Sequence, residues 1–231
     1  MSDSAREAPT GDGPRTTPRT AGRTWLALIL ISLAAFAGWS LLRNAGPIGI
    51  DIRDRTGVAR LLADTRSPAI GPRDATVQMV VFTDYQCPAC RASHGAMHRA
   101  VREAGDVRLV YRDLPIFGPV SERAARVALA ARNQDLYPQI HDAFMRDTRR
   151  LEEPVLRELV VRHGGDWQRI ERDLETDPAI GRQLATNQRD ALRLGVAATP
   201  TYLVGPYLIE GALDADEFAA AFAQARSLAL D

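Results

Sequence analysis

The sequence predicts an α/β domain in which a strand–helix–strand unit leads into a helical block and is closed by a hairpin and a final helix, all of it behind an N-terminal transmembrane helix. Three observations carry this reading. Apolar, β-branched runs at 77–83 and 107–113 flank a helix-patterned stretch at 87–103. Residues 116–195 switch to apolar spacing of three and four, and residues 24–42 contain no charged side chain.

The first 23 residues are rich in Pro, Thr, Gly and Arg and poor in large apolar side chains, so they read as a flexible cytoplasmic tail, 1–23. The uncharged stretch 24–42 is long enough to cross a hydrocarbon core, and Trp25 and Trp39 stand near its ends as interfacial anchors would. Arg6, Arg15, Arg19 and Arg23 precede it and only Arg43 follows closely, so the positive-inside rule sends residues 43–231 across the membrane. Ala35-Phe36-Ala37 also offers a signal-peptide cleavage site, which leaves anchor and cleaved signal as two readings with one destination. That destination is the periplasm or the cell exterior, with the chain held at the inner membrane if the span is kept.

Residues 43–75, rich in Gly, Pro and Arg, read as a stalk and N-terminal extension with one short helix near 57–64. The main domain is 76–231. Its strands at 77–83 and 107–113, joined by a helix, make a βαβ unit, which is parallel and right-handed. Pro88 falls in the first turn of that helix, where its missing N–H costs nothing. After the helical insertion at about 116–195, strand character returns at 201–204 and 207–209 around Gly205-Pro206. A last amphipathic helix follows Asp214, an N-cap candidate, and runs to about 228.

Bulk properties exclude some partners. With 29 basic and 29 acidic residues the formal charge is zero, and the basic residues, all Arg, are scattered, so nucleic acid is not an expected partner. A hydrophobic content of 45% supplies a real core.

The two cysteines, Cys87 and Cys90, stand in VVFTDYQCPACRASH. A disulfide closing a four-residue loop removes only about 2 kcal/mol of unfolded-state entropy, so a structural staple is a poor reading. A redox pair is a good one. Helix N–H groups and the helix dipole favour a thiolate at the N-terminus, which points to Cys87 as the attacking sulfur. Cys90, one turn further in and expected to be less exposed, can then attack the mixed disulfide. Pro88 and Ala89 between them set the local environment, and Arg91 reads as a solvated side chain.

Zinc is the competing chemistry, since Cys87, Cys90, His94 and His98 share one helical stripe. Cys87 and His98 are roughly 16 Å apart along the helix axis, whereas zinc ligands lie within about 2.3 Å of one ion. No metal is expected, and His94 and His98 read as helix-face residues.

The segments FTDYQCPAC, RDLPIFGPVSERAARVALAA and GVAATPTYLVG together resemble the DsbA-like family of thioredoxin-fold proteins, over about residues 67–228. The resemblance implies a thioredoxin-like fold with an inserted helical subdomain. It further implies thiol:disulfide oxidoreductase activity without a cofactor beyond the redox-active Cys87–Cys90 disulfide. Cys87 is then nucleophile, Cys90 resolves, and Pro200 is a cis-proline beside the active site, with Thr199 backbone groups free for an extended substrate. Two departures stand out: Val81 occupies the place of a buried glutamate found in many relatives, and Ala89 the place of a histidine found in strongly oxidising ones. Asp84, of opposite strand parity to Val81, reads as ending the strand or capping the helix.

The expected function is disulfide exchange with exported proteins that carry thiols or disulfides, served by an unidentified redox partner. The direction of electron flow is not carried by the sequence. The alternative is a non-catalytic peptide-binding or chaperone module of the same fold.

Overall fold

The computed structural model describes Trp25 and residues 28–35 and 47–228, in two units divided between Gly46 and Pro47. The expected tail at 1–23 lies outside the described residues, as does much of the expected span at 24–42. Trp25 and residues 28–35 are helical and exposed. Among the described residues no helix is long and apolar enough to cross a membrane.

The second unit is built on one mixed sheet. Its strands are β1 (Ile50–Asp51), β2 (Ala69–Ile70), β3 (Val77–Thr83), β4 (Val107–Asp113), β5 (Thr201–Val204) and β6 (Tyr207–Glu210), in the order β1-β6-β5-β3-β4-β2. Only β3 and β4 are parallel; every other pair is antiparallel. The parallel pair is joined by α2 (Pro88–Ala104), and Gly105, at φ 72°, ends that helix and turns the chain into β4. A short α1 (Val58–Leu62) precedes the sheet core.

The helical block runs α3 (Pro119–Ala131), α4 (Tyr137–Arg146), α5 (Glu153–Arg162), α6 (Trp167–Thr176) and α7 (Pro178–Leu194), and α8 (Ala215–Ser227) closes the chain. Its starts are written locally. A proline occupies the first turn of α3, α4, α5 and α7. Asp166 and Asp177 cap α6 and α7 by accepting backbone N–H groups, and Asp214 forms a capping box with Glu217 on α8.

Alternation along β3 divides the core. Val77, Met79 and Val81 face the cluster that holds α2, α8 and most of the helical insertion, while Val80 and Phe82 face α1 and α7. Both faces are therefore covered, which buries all of β4, its arginines included. Arg112 is 3% exposed and donates to the Asp64 carboxylate at 2.6 Å and to Asn187 Oδ1 at 3.0 Å, joining the segment between α1 and β2 to β4 and α7.

The reading of 43–75 as stalk and extension is corrected for residues 47–75. They supply both sheet edges, and Ile52, Val58 and Leu61 sit in the core. Two-residue strands have no alternation to read, and the strands they pair with lie far along the chain.

Candidate active site

Strand β3 ends at Thr83 and the chain turns through Asp84-Tyr85-Gln86 into α2, whose N-cap residue is Cys87. The turn is pinned by Asp84. Buried at 1% exposure, its carboxylate accepts from the N–H groups of Gln86 (2.7 Å), Ile116 (2.7 Å) and Phe117 (3.1 Å) and from the Ser121 hydroxyl (2.7 Å). Asp84 thus ends the strand, and beyond that expectation it fastens the β4–α3 loop beside the cysteines. It leaves Ile116 and Phe117 about half exposed there.

Cys87 and Cys90 are free thiols, and each is 3% exposed, so the expected difference in exposure between them is absent. Their surroundings differ instead. The Cys87 thiol donates to the Thr199 carbonyl at 3.1 Å. Burial pushes the Cys90 thiol up to about 12, against the backbone at Asp84 and the Thr83 and Thr199 side chains, which favour its charged form. Thr199–Pro200 is a cis peptide bond, both residues are buried, and the Pro200 carbonyl accepts from Gly211 N at 2.9 Å. The loop before β5 therefore presents Thr199 to the start of α2. Pro88 is exposed and Ala89 half-buried between the cysteines.

Arg91 is not a solvated side chain. Its Nε donates to the Tyr85 carbonyl at 2.7 Å and its terminal nitrogens reach the Arg149 carbonyl, fastening the turn to the helical insertion.

Other polar groups around the site escaped sequence reasoning. Asp113, fully buried at the end of β4 and paired in register with Thr83, has both carboxylate oxygens 3.0 Å from the Tyr137 hydroxyl, whose one proton they share. Burial pushes its carboxyl up to about 7. The Ser93 and Tyr202 hydroxyls lie 2.7 Å apart beneath α2.

The view of His94 and His98 as helix-face residues is corrected. His94 is 3% exposed, His98 half-buried, and both gather with His141 of α4, which is fully buried. Burial lowers the basicity of all three, His98 to about 4. The cysteines are not in this group.

A thioredoxin family model matches residues 63–223. The structure is similar to that of a thioredoxin-like oxidoreductase from Silicibacter pomeroyi (TM-score 0.70, 32% identity, 74% of this chain and 98% of that one). It is also similar to the thiol-disulfide exchange protein alpha-DsbA2 from Wolbachia pipientis (TM-score 0.68, 25% identity, 73% and 92%). In sequence, 164 residues are 33% identical to the Na(+)/H(+) antiporter NhaA 3 of Salinispora tropica, covering 68% of this chain. The match takes up 25% of that protein, so the chain spans about a quarter of the length of this curated relative.

Proposed function

Since this chain belongs to the DsbA-like group of the thioredoxin family, we propose that it exchanges disulfides with other proteins through Cys87 and Cys90. The observation that carries the proposal is the placing of Cys87 as the N-cap residue of α2, with its sulfur 3.1 Å from the Thr199 carbonyl. An extended substrate lying along Thr199 brings its own sulfur to the same place.

In the reducing direction the Cys87 thiolate attacks one sulfur of a substrate disulfide, forming a mixed disulfide and expelling the other sulfur as thiolate. Cys90 then loses its proton and attacks the Cys87 sulfur. The second substrate sulfur leaves, the Cys87–Cys90 disulfide forms, and the substrate has gained two electrons. Oxidation of a substrate dithiol is the same sequence reversed. The high proton affinity of Cys90 keeps it a thiol until the mixed disulfide has formed, which separates the two sulfurs' roles.

We further propose that residues 24–42 anchor the protein in the inner membrane with residues 43–231 outside the cytoplasm, and that its substrates are exported proteins. The uncharged span and the arginines ahead of it support this. Antiport, named for far longer relatives, is not part of the proposal. An insulin-reduction or dithiol-oxidation assay on the parent and on Cys87→Ala tests the activity. Absence of turnover in the parent would leave the peptide-binding module as the reading, and turnover that survives in the variant would remove Cys87 from the attacking role.

A further inference from the structure

We propose that His94, His98 and His141 form a binding site for one divalent transition-metal ion of zinc's class, clamping the active-site helix α2 to α4 of the helical insertion. His94 and His98 stand four residues apart on α2 and so share a face, and His141 meets that face from α4. Ring centroids are 4.3 Å apart for His94 and His98, 5.5 Å for His94 and His141, and 6.5 Å for His98 and His141. One nitrogen from each ring falls within a set whose members all lie within 4.8 Å of one another. Tetrahedral zinc with Zn–N of about 2.0–2.1 Å needs donors about 3.3 Å apart, so binding draws the three nitrogens together by up to about 1.5 Å.

Each ring has one nitrogen already held. His94 Nε2 is 2.8 Å from Asp142 Oδ1, His141 Nδ1 is 2.8 Å from the Tyr85 hydroxyl, and His98 Nε2 is 3.2 Å from the Tyr111 hydroxyl. A carboxylate and hydroxyls behind metal-binding imidazoles are the arrangement that fixes ring orientation and tautomer. With Nε2–H given to Asp142, the lone pair of His94 is on Nδ1. That atom and His141 Nε2 are buried without a hydrogen-bond partner among the described residues. An aromatic core has no need of two unpaired ring nitrogens, and leaving them so is costly; a shared cation satisfies both. Half-buried His98 supplies the third ligand and the approach from solvent.

The test uses the full chain in its disulfide-oxidised form, so that neither sulfur competes, after chelator treatment. Titration with Co(II) should give visible d–d bands without thiolate charge transfer, saturating at one equivalent and displaced by zinc. His98→Ala, at the least buried ligand, should abolish the bands, and Tyr111→Phe should weaken binding about tenfold. Replacing the remaining histidine, His163→Ala, should change nothing. His94→Gln should abolish the bands too, and far-UV circular dichroism checks that each variant is folded. Absence of the bands in the parent, bands that persist in His98→Ala, or loss in His163→Ala would each overturn the proposal.

Discussion

The Cys87 sulfur and the Thr199 carbonyl, 112 positions apart in the chain, stand 3.1 Å from one another because β5 lies antiparallel beside β3. This pairing brings the loop before β5 level with the end of β3, where α2 starts. The attacking sulfur and the backbone proposed to dock its substrate are thus set by one sheet register. Cys90 stands one turn further along α2 and is as buried as Cys87. Cys90→Ala should therefore stall exchange at the mixed disulfide and accumulate protein adducts through Cys87, which non-reducing electrophoresis would reveal. In Cys87→Ala no adducts should form, and adducts there would remove Cys87 from the attacking role.

Asp84 presents a different dependence. Its carboxylate is buried and takes four hydrogen bonds, two of them from the loop that carries Ile116 and Phe117. Asp84→Ala leaves those donors unpaired and should cost on the order of 3 kcal/mol in denaturant unfolding. The freed loop should also change exchange with a protein substrate more than exchange with a small dithiol. Equal losses for both substrates would show that Asp84 acts on the fold alone.

Much of this site was legible in the sequence because its signals are local. A buried strand, a tight turn, a cysteine and a proline opening a helix follow one another within 77–88, and each has its own residue preferences. What stayed hidden is non-local. His141 lies 43 or more positions from His94 and His98, and no periodicity announces that α4 will face α2. Asp113 looks like the polar end of a strand until α4 brings Tyr137 over it. The edge strands Ile50–Asp51 and Ala69–Ile70 are too short to alternate, and only pairing with β6 and β4 defines them.

The residue before Cys90 should set the potential. Ala89 is half-buried and offers the Cys87 sulfur neither charge nor hydrogen bond. A histidine there can donate to the thiolate and stabilise the reduced form, which makes the protein a stronger oxidant. A hydrogen bond to a charged group contributes about 1.5–3 kcal/mol, or about 30–60 mV for the two-electron couple. Ala89→His should raise the potential by that order, measured by equilibration with glutathione. An unchanged or lower potential would mean that the sulfur does not feel this position.

Asp113 should tie stability to pH. Burial raises its carboxyl from 3.8 to about 7, the Tyr137 and Tyr85 hydroxyls oppose that rise, and the nearby Asp84 carboxylate adds to it. The folded state then keeps a proton that the unfolded chain gives up, so between pH of about 4 and 7 the folded state binds more protons. Stability falls with rising pH across that window and levels off above it, by at most about 4 kcal/mol from this one group. Both tyrosines are buried with their phenols pushed further up, so they stay neutral throughout the window. Asp113→Asn keeps an acceptor for Tyr137 and removes the titration. Its added amide N–H groups need partners of their own, so the comparison rests on slopes and not on absolute values. Urea unfolding of parent and variant at pH 4.5 and at pH 8 should show the variant gaining on the parent as pH rises, since every other acid contributes equally to both. Parallel curves would show that Asp113 is already ionised at the lower pH and that its burial is offset by the hydrogen bonds it accepts.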